Sequence, residues 1–376
     1  MIPYGRQTID EEDIRAVAEV LASDWLTQGP KVAEFEAALA AYCGAKHAVT
    51  FANGSLALQG AYAAAGLAEG DELVTTPLTF AATASAALWF GAKPVFADVD
   101  PLTGNLDPKK AAAAITKKTK VLAPVDYSGR PVDLDAFRAL GKERGLVVVS
   151  DAAHSLGARY KGRPVGGLSD MSVFSFHPVK SITTGEGGAV LTNSDEFAAR
   201  LDSFRKHGVT QKHPDWRYDI GMLAQNCRLT DFQCALGLSQ LKKLDSFVAR
   251  RRAIAKAYDQ ELRALPALEL PPYDADSAWH LYPVRLKLAA LTADRGQVFS
   301  DLRAAGIGVQ VHYIPVYDHP LYRKLGYKPD CPEANKFYAG ELSLPIFPRL
   351  TDADRGAVVA ALRAVLERYA KPALAS

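Results

Sequence analysis

Cysteine is scarce in this chain. Four residues of 376 are Cys, at 43, 227, 234 and 331. They form no C-x-x-C pair and adjoin no histidine cluster, so the spacing supports no metal centre and no disulfide framework. A cysteine set for an iron–sulfur cluster is missing as well. Free buried thiols in a reducing cytoplasm are the expectation that remains. No apolar run approaches the roughly 20 residues that span a bilayer. The opening Met1-Ile2-Pro3-Tyr4-Gly5-Arg6 lacks the basic-then-apolar order of a signal peptide, so no membrane partner is expected. An excess of one charge is also missing. Lys plus Arg number 44 against 42 for Asp plus Glu, a formal net charge of +2. With no basic stripe, a nucleic-acid partner is not expected.

What the chain does contain is alternation. Ile14, Val17, Ala18 and Leu21 recur at helical spacing, as do Val32, Phe35, Leu39 and Tyr42. Short apolar runs at 47–52, 72–76, 94–98, 120–126, 146–150, 171–176 and 188–192 read as strands. Helical patterns at 55–65, 79–90, 107–114 and 133–144 lie between them. Strands alternating with helices predict an α/β fold, with an open, mostly parallel sheet flanked by helices. From about Asp245 the pattern changes. A long charged helix over 246–265 precedes Pro271-Pro272, then strands at 279–288 and 308–312 and helices at 292–305, 333–340 and 351–369. The expected division is a larger domain over 1–245, with an N-terminal arm, and a smaller C-terminal α+β domain over 246–376. The tail from Lys371 to Ser376 is expected to fray.

The chemistry concentrates in two segments. Val147-Val148-Val149-Ser150-Asp151 ends a buried strand with a carboxylate. Ser175-Phe176-His177-Pro178-Val179-Lys180 carries a lysine from the next strand toward the Gly-rich Gly185-Glu186-Gly187-Gly188. A buried acid followed by such a lysine suits pyridoxal 5'-phosphate: the lysine attaches the aldehyde and the acid keeps the pyridine nitrogen protonated. The lysine must shed its own proton to do so, which burial or nearby cations promote. Singly, these residues are a surface lysine and a capping aspartate. A phosphate cup gives the pair its meaning. His47-Ala48-Val49-Thr50-Phe51-Ala52-Asn53-Gly54-Ser55 reads as strand, tight turn and helix start. Its free N–H groups face an anion, with Gly54 allowing close approach and Ser55 adding a hydroxyl. Ser175 offers a second hydroxyl.

With these residues in view, the chain resembles the sugar aminotransferases of the DegT/DnrJ/EryC1/StrS family, from Tyr4 to near Tyr369. Supporting segments are Leu26-Thr27-Gln28-Gly29, Val125-Asp126-Tyr127-Ser128-Gly129, Phe176-His177-Pro178-Val179-Lys180, the run from Ala235 to Lys243, and Val311-His312-Tyr313-Ile314-Pro315-Val316-Tyr317. They look most like the transaminases of pseudaminic acid biosynthesis that act on a UDP-4-keto-6-deoxy-N-acetylhexosamine. The resemblance implies the fold-type-I architecture of pyridoxal-phosphate aminotransferases, with Lys180 and Asp151 as catalytic residues. It implies that His154 meets the ring hydroxyl, Phe80 stacks on the ring, and Gly54, Ser55 and Ser175 hold the phosphate. Asn226 is expected to reach that phosphate from a second subunit, with Arg228 in the same crossing segment. A homodimer with shared sites follows. Tyr4, the stretch Asp24, Trp25, Leu26 and Thr27, and the loop His312, Tyr313, Ile314 and Pro315 are the implied contacts to a UDP-sugar. Glutamate is the implied amino donor, and no metal is implied.

Three alternatives stay open. The acceptor is another UDP- or dTDP-4-keto sugar, the reaction is a sugar dehydration on the same fold, or the chain is a non-catalytic regulator. Lys180 and the absent cysteine cluster weigh against dehydration. The intact lysine, acid and cup weigh against a regulator.

Overall fold

The computed structural model describes residues 1–371, so the expected frayed tail beyond Lys371 lies outside the described residues. Its centre is a seven-stranded sheet in the order His47–Phe51, Gly188–Thr192, Met171–Ser175, Val147–Asp151, Thr119–Ala123, Glu72–Thr75, Lys93–Phe96. Gly188–Thr192 runs antiparallel to both its neighbours, and the remaining pairs are parallel. Both faces of the central strands are covered, which explains their unbroken apolar runs. Side chains alternate between the two faces. Met171, Val173 and Val190 pack with Leu58 and Tyr62 of helix Gly54–Ala64 on one side. Phe174, Ala189 and Leu191 pack with Phe35 and Leu39 of helix Pro30–Cys43 on the other.

A second, three-stranded sheet has the order Leu268–Glu269, Tyr282–Leu286, Glu341–Leu344. Its core joins Val284 and Leu342 to Ile254 and Tyr258 of helix Leu244–Leu262, Leu302 of helix Arg295–Ala304, and Leu362 of helix Asp352–Arg368.

Two expectations need correction. The strand at 308–312 does not form. Gln310 alone makes a bridge, to Ser343. The next amides turn to side chains instead, Val311 N–H to Gln310 Oε1 and His312 N–H to Glu341 Oε2. The helix at 79–90 shortens to Ala82–Leu88, which leaves Phe80 outside it. Elements the periodicity did not mark are helices Asp195–Arg205 and Asp231–Leu241, strand Glu341–Leu344 and the hairpin Val209–Lys212 with Tyr218–Ile220.

Candidate active site

The C-terminal ends of the parallel strands converge on Asp151. It closes strand Val147–Asp151 and is 5 % exposed. The Thr83 hydroxyl donates to Asp151 Oδ2 at 2.6 Å and the Ala153 N–H to Oδ1 at 3.1 Å. Burial pushes this carboxyl above its ordinary range, while those two bonds and the Lys180 charge push it back. Thr83 is itself held by the Thr79 hydroxyl at 2.8 Å, from the turn that precedes the helix, and its carbonyl accepts from Tyr62.

Lys180 sits in the loop after strand Met171–Ser175, partly buried, its N–H donated to the His177 carbonyl at 2.9 Å. Burial lowers its amine to about 8, and the Arg251 charge adds to that while Asp151 opposes it. Arg251 is 1 % exposed. Its guanidinium donates to the carbonyls of Val179 (3.4 Å), Trp279 (3.4 Å), His280 (3.3 Å) and Ile346 (2.8 Å). Burial lowers it to about 10.

Histidines and tyrosines close the site. His154 is 6 % exposed, and its Nε2 lies 3.1 Å from the Tyr313 hydroxyl. Its Nδ1 is buried without a partner. The His154 ring lies 4.3 Å from that of His280. Burial holds both well below the ordinary histidine range, and the Lys180 charge reinforces this. They are therefore neutral near pH 7. His312 is pushed down to about 3 for the same reasons. Its ring lies 5.4 Å from Tyr4 and 4.9 Å from Tyr313, and Phe80 lies 6.4 Å from Tyr313. Phe80 is 64 % exposed, an aromatic face open to a ligand.

The glycine cradle also forms. Asn53 caps helix Gly54–Ala64 by accepting from the Leu56 N–H. A Cβ on Gly54 would stand 3.1 Å from the Ser175 Cβ, so the helix start and that hydroxyl-bearing residue share one corner. A Cβ on Gly188 would meet the Asn53 backbone at 2.8 Å; the strand passes directly beneath the turn and has no room for a side chain. Ser55 is exposed on the first turn.

Other sequence candidates assemble elsewhere. Asp24, Trp25, Leu26 and Thr27 are all exposed. The Leu26 carbonyl accepts from Asp231 N–H, and Thr27 bridges Thr230. Arg228 lies two residues away in sequence, partly buried, and Asn226 is exposed with a bridge to Lys206. Ile314 is exposed and Pro315 buried. Thr83, Arg251, His280, Glu341 and Ser343 escaped the sequence reading. None of them carried a signal that hydrophobic pattern records.

Among the described residues no helix is long and apolar enough to cross a membrane, and no cluster is placed to hold a metal ion. The four cysteines are free and buried, and burial raises the Cys43 thiol to about 12.

A lysine of weakened basicity that feels the charge of a buried carboxylate, at the strand ends of this sheet, suits an aminotransferase. The chain belongs to the DegT/DnrJ/EryC1/StrS aminotransferase family, whose sequence profile matches residues 7–363. It is 41% identical to the UDP-4-amino-4,6-dideoxy-N-acetyl-beta-L-altrosamine transaminase of Campylobacter jejuni subsp. jejuni serotype O:23/36, over 99% of each chain. It superimposes on Helicobacter pylori PseC, an aminotransferase involved in the biosynthesis of pseudoaminic acid, with a TM-score of 0.93. That pair shares 36% identity over 98% of this chain and 99% of the other. The PLP-form of the putative sugar aminotransferase Spr1654 from Streptococcus pneumoniae aligns with a TM-score of 0.92 and 31% identity, over 98% of this chain and 99% of the other.

Proposed function

We propose that this aminotransferase uses pyridoxal 5'-phosphate to move an amino group from glutamate to C4 of a UDP-4-keto-6-deoxy-N-acetylhexosamine. One observation carries the cofactor: Asp151, nine-tenths buried and raised by that burial, gains what it lacks when a pyridinium N–H is brought to it. The Gly54/Ser175 corner, the N-terminus of an 11-residue helix and the unpartnered His154 Nδ1 fit the rest of the group. Bound there, pyridoxal phosphate supplies an aldehyde for the amino group and an electron-withdrawing ring.

The residues then divide the work. Asp151 keeps a proton on the ring nitrogen. Lys180 attaches the cofactor through Nζ and takes and returns the proton at the substrate carbon. With an amine near 8, a useful fraction is free base at neutral pH. Gly54, Ser55 and Ser175 hold the phosphate, Phe80 covers the ring and His154 orients it. Tyr4, Asp24 to Thr27, Arg228 and the loop His312 to Pro315 bind the nucleotide sugar. We read residues 1–245 as the larger domain, 246–376 as the smaller one, and the cytoplasm, where free thiols persist, as the compartment.

The preference for the altrosamine branch rests on 41% identity to the Campylobacter transaminase across 99% of the chain. A panel of UDP- and dTDP-4-keto sugars assayed with glutamate tests it. The expected preferred substrate is UDP-2-acetamido-2,6-dideoxy-β-L-arabino-hex-4-ulose. Preference for its D-xylo epimer or for a dTDP sugar removes this substrate assignment and leaves the amino transfer standing.

Assembly gives a separate prediction. Asn226 is exposed on this chain, which suits a residue that completes the site of a second copy. Mixing inactive Lys180→Ala with an inactive Asn226→Ala variant, under conditions that exchange subunits, is expected to restore activity. In the mixed dimer one site combines an intact lysine with an intact asparagine. No recovery despite verified exchange assigns Asn226 to its own subunit's site.

A further inference from the structure

Beneath the sugar loop lies a chain of three polar groups that the chemistry above does not use. Glu341 is fully buried at the start of strand Glu341–Leu344. Its Oε1 is 2.5 Å from the Ser343 hydroxyl, and the Ser343 oxygen is 2.8 Å from His312 Nδ1. Its Oε2 accepts the His312 N–H at 2.7 Å. The loop backbone and ring are thus fixed by one carboxyl. The Tyr127 hydroxyl adds a bond to the His312 carbonyl at 2.5 Å. With Nδ1 engaged by Ser343, Nε2 is the ring nitrogen left for a ligand.

A hydroxyl has one hydrogen to give, so the three groups share two proton arrangements. With Glu341 ionised, Ser343 donates to Oε1 and accepts from Nδ1–H, and Nε2 presents a lone pair. With Glu341 protonated, its O–H donates to Ser343, Ser343 donates to Nδ1, and Nε2 carries the hydrogen. We propose that Glu341, Ser343 and His312 form a proton relay in which Glu341 decides whether His312 offers the sugar a donor or an acceptor at Nε2. Going from the second arrangement to the first breaks the Glu341 O–H, Ser343 O–H and Nε2–H bonds. It forms new Ser343 O–H and Nδ1–H bonds, and one proton leaves at Nε2. The charge left behind stays on Glu341. A ketone oxygen at C4 calls for the donor form, so Glu341 and Ser343 are positioning residues for His312. That role assumes the sugar contact proposed above.

The surroundings fit a carboxyl that changes state near neutrality. Burial raises Glu341 to about 8, against its bonds to Ser343 and His312 and the charge of Arg295. Arg285 stands opposite it in the strand register but is spent on Glu269. Tyr127 and Tyr313, raised by burial, face it as neutral phenols. Around His312 stand Lys180, Tyr4, His154 and His280, and the two histidines are neutral.

Nitrogen-15 NMR of histidine-labelled holoenzyme without sugar tests the relay directly, the His312 signals being assigned by their loss in His312→Asn. In the wild type, His312 is expected to pass from Nε2–H below pH 7 to Nδ1–H above pH 9. In Glu341→Gln the amide oxygen takes the His312 N–H and the amide NH2 donates to Ser343. This variant is therefore expected to hold Nε2–H from pH 6.5 to 9.5. Ser343→Ala leaves the Glu341–His312 N–H bond in place and is expected to abolish the switch, which keeps the test available if the Gln variant melts early. A single His312 tautomer across this range in the wild type, or a switch that survives in the folded Gln variant, overturns the relay. Both readings are taken without sugar, so they stand apart from any failure of the substrate assignment.

Discussion

Lys180→Ala is expected to lose amino transfer by at least ~10³-fold, since a positioned base contributes about 10²–10⁴ and the attachment point goes with it. The fold should survive. Lys180 belongs to a loop rather than a strand, and its backbone N–H bond to His177 does not involve the side chain. Borohydride treatment gives a measurement independent of turnover. Wild type should gain the mass of reduced pyridoxal phosphate on the peptide containing Lys180, and the variant should not. Full activity in the variant, or label on another lysine, removes Lys180 from the reaction.

Asp151→Asn is expected to slow amino transfer by ~10²-fold or more while cofactor still binds. The substitution keeps the size of the side chain and the place of the Thr83 and Ala153 contacts. It removes the charge that favours a protonated pyridine nitrogen. A fall of less than about tenfold, roughly 1.4 kcal/mol in the barrier, means that another group supplies that charge. Binding and rate should separate here: fluorescence titration of cofactor changes little, and single-turnover kinetics with glutamate change greatly.

The strands were readable because the central ones are covered on both faces. Val147-Val148-Val149 has no alternation to misplace. The segment 308–312 looked similar and failed because its amides bond to side chains, an arrangement that hydrophobic pattern does not record. The hairpin Val209–Lys212 with Tyr218–Ile220 escaped for the opposite reason. It is largely exposed and polar, with Pro214 near its tip, so it carries no core-facing signal. Within the site, Lys180, Asp151 and Gly54 announced themselves by strand-end positions. Glu341 and Ser343 did not, because they alternate with Leu342 and Leu344 in a strand too short for the periodicity to mark. Arg251 is one of many charges along the helix expected over 246–265. Nothing in i,i+4 spacing says that this particular charge turns inward.

That inward turn has a consequence for motion. The Arg251 guanidinium joins main-chain carbonyls from three separate stretches, one of them Val179, immediately before the lysine. Opening the lysine loop would take one carbonyl acceptor, Val179, from a buried cation that no carboxylate faces. The Val179-Lys180 segment should therefore exchange its amide hydrogens more slowly than the exposed hairpin does. Motion is then left to the exposed hairpin and the 24–27 turn, while the Lys180 backbone stays comparatively still.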